Sequence, residues 1–332
     1  MQQTVEFEKN ARNIFFHLLT KCNLSCRHCY INPAQHGHET LSLKIIEERL
    51  GLLIDSKQKP SNIIFLGGEP TLHPELAQAI KTARQLGCES ITIDTNGYLF
   101  HDILNKTSPD EVDYVSFSLD GPTSLVNDPI RGNGSYKTCV KGIKKARAMG
   151  YTTSAIYTVG AYNIEHLEKM PELLSDLGIK RFFIQVLGIR GKAAKGQEKG
   201  QGVTRKAWLN TVPRAAGKAA ALGITTIYPK VWLDKGEKFE CAGKVAENYF
   251  VFPNGRVYHC PLCEDYPIHA MEFKDGKLIK QKGLHEGRFF DLDIPEGCVM
   301  NKLVQSGSIE YDDMGKPQHQ VACCLLKEKV MP

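Results

Sequence analysis

Short runs of β-branched and aromatic residues recur along the first part of the chain, and stretches with helical spacing of apolar residues separate most of them. This alternation is typical of βαβ units in a parallel sheet. The predicted strands are NIFFHLL near residue 13, NIIFL at 62, SITID at 90, YVSFSL at 114, TSAIYTV at 153 and RFFIQVL at 181. The predicted helices include LSLKIIEERLGLLIDS, HPELAQAIKTARQLG, YKTCVKGIKKARAMG and NIEHLEKMPELLSDLG, several of which end at a glycine (Gly87, Gly150, Gly178).

Six units of this kind predict an α/β fold, a partial (β/α)6 barrel of the TIM type with its chemistry at the carboxyl ends of the strands. A doubly wound open sheet has the same local pattern and stays open as an alternative. A further helical stretch at 204–222 leads to GITTIYP, and the rhythm stops after Pro229. We therefore predict a partial barrel over 1–228 and a small cysteine-rich domain over 229–332.

Composition and charge are those of an ordinary soluble globular protein. The chain has 332 residues, of which 42% are hydrophobic and 24% charged, with a net charge of +5. No basic helix with interleaved aromatic residues suggests a nucleic-acid partner, and no apolar run approaches the length of a membrane span. The N-terminus lacks a signal-peptide pattern, so we expect a cytoplasmic protein without a membrane partner.

A cytoplasmic location affects how the 11 cysteines are interpreted. In a reducing compartment an odd number of cysteines fits a disulfide framework poorly. Three lie at 22–29 and six at 241–324, while Cys88 and Cys139 between them are expected to be small core residues. Clustered thiols inside a cell indicate metal sites.

Residues able to do chemistry follow four successive predicted strands. KCNLSCRHCY follows the first strand, GGEP the second and DTNG the third, and SLDG ends the fourth. Each motif taken alone also fits a simple turn or a helix cap. Because parallel strands end at the same edge of a sheet, together they predict one site on one rim.

Cys22, Cys26 and Cys29 have the spacing of a metal-binding loop with one ligand missing. A four-iron cluster normally takes four thiolates, one per iron, so three leave one iron open for a substrate or cofactor. A zinc ion is the alternative, but His28 is the only nearby candidate for a fourth ligand.

The cysteine spacing, followed by GGEP and the later motifs in order, resembles the radical S-adenosylmethionine (radical SAM) superfamily over residues 13–190. The resemblance implies that Cys22, Cys26 and Cys29 bind a 4Fe-4S cluster whose fourth iron is chelated by SAM. It further implies that a one-electron donor such as flavodoxin or ferredoxin reduces the cluster. SAM then splits, and the resulting 5′-deoxyadenosyl radical abstracts a hydrogen from the substrate in the barrel cleft.

The same resemblance implies which residues contact SAM near the cysteine loop. His28 occupies the position beside the adenine, although Tyr30 could equally form that wall. Gly67 and Gly68 would let the backbone approach the methionyl group, because glycine has no Cβ. Glu69 would accept a charge-assisted hydrogen bond from the SAM amino group.

Further contacts are implied on the later strands. Asn96, Ser118 and Asp120 sit where related enzymes hold the ribose and the carboxylate of SAM, and a helix cap is the other interpretation of Asp120. Arg131 resembles the arginine that pairs with the SAM carboxylate. Two residues of the last predicted strand are implied to meet the adenine: Gln185 and Leu187.

The cysteines of the last third of the chain resemble a second kind of site. NYFVFPNGRVYHC predicts a hairpin with a turn at Asn254 and Gly255. The spacing Cys241–x13–Gly–x4–Cys260 resembles the opening of SPASM and twitch domains, which carry auxiliary clusters in radical SAM enzymes. We predict one auxiliary 4Fe-4S cluster, with Cys263 and Cys324 as reserve ligands and a zinc knuckle at Cys260–x2–Cys263 as the rival. Its predicted ligands are Cys241, Cys260, Cys298 and Cys323.

Three functions remain open. Modification of a peptide or protein is the first, because enzymes with such a tail domain commonly do this. An enzyme of small-molecule or cofactor biosynthesis, acting for example on a tetrapyrrole or a sugar, is the second, and a non-enzymatic metal-binding protein is the third. Few residues precede the first strand, so we expect no fused leader-binding domain there. The Gly-rich basic stretch at 190–206 is expected to be a solvated loop.

Overall fold

The computed structural model describes residues 1–54, 59–194, 201–305, 307 and 309–332. The described strands form one thirteen-stranded sheet in the order β1-β13-β8-β7-β6-β5-β4-β3-β2-β9-β10-β11-β12. The strands are β1 Gln2–Val5, β2 Arg12–His17, β3 Ser61–Leu66, β4 Ser90–Thr95, β5 Tyr114–Ser118, β6 Thr153–Val159, β7 Arg181–Val186, β8 Thr225–Pro229, β9 Glu247–Val251, β10 Arg256–Tyr258, β11 Met271–Lys274, β12 Lys277–Lys280 and β13 Lys327–Val330.

Strands β2 through β8 pair in parallel, each with the next along the chain. This confirms the α/β partial barrel, and β8 adds a seventh parallel strand to the six that the sequence predicts. The barrel stays open because its two outer strands pair elsewhere: β2 with β9, and β8 with β13. Parallel pairing brings the carboxyl ends of all these strands to one rim.

Helices connect the parallel strands and cover the outer face of the sheet. The hydroxyls of Ser42 and Thr204 cap the N-termini of α2 and α8. The predicted glycine stops are confirmed at Gly87, Gly150 and Gly178, which adopt positive φ angles just beyond their helices. The helices are α1 Pro33–His36, α2 Leu43–Leu53, α3 Leu76–Gln85, α4 Ile103–Lys106, α5 Ser124–Arg131, α6 Ser135–Ala148, α7 Met170–Asp176, α8 Arg205–Ala221, α9 Ala242–Val245, α10 Gly287–Phe290 and α11 Val299–Val304.

Helix α5 is absent from the sequence-based prediction. It contains Pro129, a residue that argues against a helix interior, and it ends at Arg131. Its last turn therefore carries Arg131, one of the candidate site residues. None of the helices in the described part of the chain is long and apolar enough to cross a membrane.

The tail attaches to both edges of the parallel sheet. The predicted hairpin is confirmed as β9 and β10, joined through a turn in which Gly255 has a φ of 91°. Strand β9 lies beside β2, while β13 and β1 extend the sheet beyond β8. The domain boundary predicted at residue 228 falls within the last two residues of β8 and stays a prediction.

The two faces of the parallel strands differ in burial. Outward residues such as Ile93, Val115 and Phe182 are buried in the main core under the helices. The alternate, inward residues include many that are only half-buried, such as Thr92, Ile156 and Phe183. The inside of the open barrel is therefore a solvent-reached cleft rather than a filled core.

Candidate functional site

The three cysteines of the first motif lie on the loop that follows β2, at the rim where the parallel strands end. Cys22, Cys26 and Cys29 are all half-buried free thiols. Burial raises the pKa of Cys22 to about 12 and raises the pKa of the other two as well. Since a metal binds the thiolate, iron must displace a proton from each of these side chains.

The GGEP turn after β3 is held directly against the start of the cysteine loop. The backbone N–H groups of Gly68 and Glu69 donate to the carbonyls of Leu19 and Lys21, at 3.0 and 3.1 Å. A Cβ on Gly67 would lie 2.3 Å from the Leu19 carbonyl oxygen, and one on Gly68 would lie 2.2 Å from that of Lys21. Close approach of two protein turns therefore already requires both glycines, apart from any contact with a cofactor.

Glu69 is fully buried, and its carboxylate is largely occupied by protein donors. Oε1 accepts from the Thr71 N–H at 3.1 Å, the Thr71 hydroxyl at 2.6 Å and the Thr95 hydroxyl at 2.8 Å, and Oε2 accepts from the Asn96 N–H at 2.7 Å. Burial raises the pKa of Glu69, and these donors counteract part of the shift. The side chain thus ties the GGEP turn to the DTNG turn, and its predicted bond to the SAM amino group stays a prediction.

Asn96 is brought to the cysteine loop by this arrangement. Its side-chain amide donates to Asn23 Oδ1 at 2.8 Å and lies 3.9 Å from the sulfur of Cys22. Asn96 is buried, with its own side-chain oxygen accepting from the Tyr98 N–H at 3.3 Å. Contacts between these turns place the third strand end beside the predicted cluster ligands.

Asp120, His28 and Arg131 form one buried charged group, although the sequence treats them as separate contacts. Asp120 Oδ2 lies 2.6 Å from both His28 Nε2 and Arg131 Nε, and Oδ1 accepts from the Thr158 N–H at 2.7 Å. Burial alone would raise the pKa of Asp120, but Arg131 and His28 outweigh it and lower the pKa to about 2. The Arg131 guanidinium, predicted to meet the SAM carboxylate, thus has a carboxylate partner within the protein.

The remaining predicted SAM contacts are spread along the rim. Ser118 is half-exposed at the end of β5, Gln185 is exposed and Leu187 is buried at the end of β7. Tyr30 has its contacts within the barrel: its hydroxyl lies 2.8 Å from His17 Nε2, and its ring lies under the Arg190 guanidinium. Cys88 and Cys139 are buried in the main core, as expected.

Arg190 is a residue that the sequence analysis missed, because it was expected in a solvated loop. Its guanidinium lies 4.7 Å from the centre of the Tyr30 ring and pairs with the buried carboxylate of Glu264. The next residues continue the contact: Gly191 N–H donates to Asp265 at 2.5 Å, and Lys192 N–H donates to the Cys29 carbonyl at 2.8 Å. Residues 195–200 of that stretch lie outside the described residues.

We name residues 190–192 the bridge segment, because they join the two cysteine-bearing regions of the molecule. On one side the segment holds Cys29 and, through the Lys192 ammonium, Ser25. On the other it holds Glu264 and Asp265, which directly follow Cys263. Both cysteine regions are therefore positioned against the same short stretch of backbone.

The four predicted tail ligands line one cavity in the tail. Cys324 lines the same cavity, while the backbone N–H of Cys263 donates to the Cys260 carbonyl at 3.1 Å. The neighbouring Cys241 and Cys324 thiols lower the pKa of Cys323. The cavity brings together thiols from distant parts of the tail: Cys241, Cys260, Cys298 and Cys323.

Glu286 supports this cavity and was also missed by the sequence analysis. Its carboxylate is buried and accepts from the N–H groups of His259 at 2.6 Å and Cys260 at 3.0 Å. Burial raises the pKa of Glu286 to about 8. In the described part of the chain, no group of three or more His, Cys, Asp or Glu side chains could hold a single metal ion.

The sequence of the chain is similar to those of known proteins. The family model described as the radical SAM superfamily matches residues 17–191. The chain is 28% identical over 214 residues to the pre-heme d1 synthase of Dinoroseobacter shibae, covering 63% of this chain and 52% of that protein. It is 29% identical over 196 residues to the Fe-coproporphyrin III synthase of Methanosarcina barkeri, covering 58% and 48%. The chain spans about half the length of these curated relatives.

A solved structure resembles more of the chain. SuiB of Streptococcus suis bound to the precursor peptide SuiA aligns with a TM-score of 0.63, covering 91% of this chain and 73% of SuiB. Sequence identity in that alignment is 14%, so the likeness concerns the fold.

The buried charged group generates a stability prediction. Asp120→Asn leaves the Arg131 guanidinium buried without its anionic partner, and breaking a buried pair in this way costs about 3–5 kcal/mol. We expect a clearly lower midpoint of anaerobic thermal unfolding than for the exposed control Asp110→Asn. Equal midpoints for the two variants would contradict the assignment of a stabilising ion pair.

The same group predicts how wild-type stability depends on pH. The pKa of Asp120 is depressed to about 2, below the ordinary aspartate value of about 3.9. Its contribution is therefore present above about pH 4 and is lost as the pH falls toward 2. Unfolding midpoints of the wild type and Asp120→Asn should converge over that acidic range.

The bridge segment predicts coupled loosening of the two cysteine regions. Arg190→Gln removes the cation that Glu264 and the Tyr30 ring share, so we expect faster hydrogen exchange in both 22–32 and 260–265. The control Arg214→Gln breaks an exposed pair with Glu168, of a kind worth little. Faster exchange in only one of the two loops would refute the coupling.

Proposed function

The chain belongs to the radical SAM superfamily, whose members use a 4Fe-4S cluster and SAM, and we propose that it is an enzyme that cleaves SAM reductively and abstracts a hydrogen from its substrate. The observation that carries this proposal is the meeting of the Cys22 loop with the strand-end turns of Glu69, Asn96 and Asp120 on one rim. A merely structural role for these turns does not account for three half-exposed thiols beside them.

The donor set of the first site fits the cluster. Cys22, Cys26 and Cys29 are free thiols on one loop, and thiolates are the ligands that such clusters take. When bound, the cluster supplies the electron that breaks a carbon–sulfur bond of SAM. Arg131 lies close enough to oppose the rise that burial causes in the pKa of Cys26, which favours the thiolate that iron requires.

The protein's own residues orient the reactants and limit access of water. Glu69 fixes the DTNG turn, and the Asp120 group fixes His28 at the predicted adenine position. The open inner face of the barrel, lined by half-buried residues, is the space available to the substrate. A one-electron donor such as flavodoxin or ferredoxin is the expected protein partner.

We further propose one auxiliary 4Fe-4S cluster in the tail cavity, with Cys241, Cys260, Cys298 and Cys323 as ligands. Their thiols line one cavity, which supports the donor set. Cys324 and Cys263 remain reserve ligands, because the first lines the same cavity and the second lies against Cys260. The Glu286 carboxylate would hold the backbone at Cys260, and the pair of Arg190 with Glu264 would hold this site close to the first one.

A peptide or protein is the substrate class we favour. The whole-chain likeness to SuiB, which includes the tail, supports it, since that structure contains a precursor peptide. The alternative is a small-molecule or cofactor substrate, and the names of the two heme-related relatives favour it. Those matches cover 63% and 58% of this chain, less than the SuiB alignment does.

The first functional prediction concerns the Cys22 loop. Replacing Cys22, Cys26 and Cys29 with Ala should remove about four iron atoms per chain and abolish release of 5′-deoxyadenosine from SAM under anaerobic, reducing conditions. The matched control is Cys88→Ala, a core thiol that should keep both iron and activity. Continued 5′-deoxyadenosine formation by the triple variant would exclude the proposed site.

The second concerns the tail. The Cys22/Cys26/Cys29 triple variant, reconstituted anaerobically, should still bind about four irons and four sulfides per chain, which further replacement of Cys241 and Cys260 should remove. Iron and sulfide analysis with zinc measured in parallel checks this. Zinc in place of iron, or roughly eight irons remaining, would refute a single auxiliary cluster.

A further inference from the structure

A row of polar residues crosses the inner face of the open barrel. In the strand register Asp94 lies opposite Ser116, Ser116 opposite Ser154, and Ser154 opposite Arg181. Side chains alternate between the two faces of a strand. Residues next to these four in sequence belong to the main core, so the four side chains lie on the inward face. Adjacent strands lie about 4.8 Å apart, so three steps place the two ends of the row roughly 14 Å from each other.

Asp94 forms the rim end of the row, two residues before Asn96. It is half-buried, and Ser116 lies beside it in the strand register. No basic side chain among the described residues pairs with it in an ion pair, in contrast to Asp120. Burial raises the pKa of Asp94 to about 7, with Ser116 opposing and the charge of Glu69 adding to the shift.

The row continues with Ser154 and Arg181, whose side chains have hydrogen-bonding groups that the described residues do not use. The Ser154 hydroxyl is buried, and within the described chain it has no hydrogen-bond partner. The Arg181 guanidinium lies 4.1 Å from the centre of the Tyr114 ring and has no carboxylate partner among the described residues. Buried polar groups are normally satisfied, so an unpaired hydroxyl on a cleft wall suggests a ligand group there.

The inner face beside the row is mixed. Ile156 and Phe183 pair with each other in the register on one side of the row, while Thr92 precedes Asp94 by two residues on the other side. The cleft therefore offers a polar stripe with a carboxyl group at the rim and a guanidinium at its other end, with apolar side chains beside part of it. Such a stripe favours a substrate with polar groups and also favours one orientation of that substrate.

We propose that Asp94, Ser116 and Ser154 form a substrate subsite that binds a hydrogen-donating nitrogen, the amine or amide of an amino-acid-like group. This rests on the proposed function, in which the barrel cleft receives the substrate. Asp94 accepts a hydrogen bond from this nitrogen next to the SAM-binding rim. Arg181 faces the opposite end of the bound group, which is electron-rich. Above about pH 7, where Asp94 is ionised, its like charge disfavours a carboxylate presented at the rim.

The test uses three probes of equal chain length: n-butylammonium, butyramide and butyrate. Their binding to the oxidised, SAM-loaded holoenzyme is measured by saturation-transfer NMR titration. We expect the ammonium and amide probes to bind at least tenfold more tightly than butyrate. Asp94→Asn should weaken n-butylammonium about tenfold, while the control Asp110→Asn, an exposed carboxylate, should leave all three affinities unchanged.

Iron content of Asp94→Asn at the wild-type level shows that the variant is folded and loaded. Butyrate binding as tightly as n-butylammonium, no transfer to n-butylammonium in the wild type, or equal n-butylammonium affinity in Asp94→Asn would each overturn the subsite. Release of 5′-deoxyadenosine by the wild type is measured separately. Its absence would refute the proposed function, whereas the probe titrations report on the subsite alone.

Discussion

Parallel, in-register pairing of β2 through β8 is the constraint on which the rest of the molecule depends. It brings the cysteine loop, the GGEP turn and the DTNG turn to one rim, where their backbones pack together. At the closest point, Gly67 and Gly68 lie against the carbonyls of residues 19–21, with no room for a Cβ. The position of Cys22 thus depends on a backbone contact with the neighbouring strand end as well as on its own loop.

Two sets of buried, oppositely charged side chains complete this rim. Asp120 joins His28 and Arg131, and Glu264 joins Arg190. Pairs of this kind contribute position more than net stability, because desolvation offsets much of the attraction between the charges. Their effect is to hold the loops that carry Cys26, Cys29 and Cys263 in one arrangement relative to each other.

The tail contributes a second cysteine-rich region without becoming independent of the barrel. Its strands pair with both edges of the parallel sheet, and the bridge segment contacts both cysteine-bearing loops. Radical SAM chemistry needs electrons delivered to one place and water kept from it. A tail anchored on both sides of the open barrel is suited to both requirements. The polar row from Asp94 to Arg181 lies on the inner face of the barrel strands.

The sequence by itself determined the strand and helix alternation, the hairpin at Asn254 and Gly255 and the family, and it favoured a partial barrel over an open sheet, which the strand order then confirmed. These follow from local patterns: the period of apolar residues, turn residues and the spacing of three cysteines. It missed helix α5, because Pro129 hides it, and the roles of Arg190 and Glu286, because neither stands in a motif. Only the tertiary structure decided which groups share a partner. His28 and Asp120 are 92 residues apart in sequence, and Asn96 lies 73 residues from Asn23. Whether such groups meet depends on strand register and loop packing, which a one-dimensional pattern does not contain.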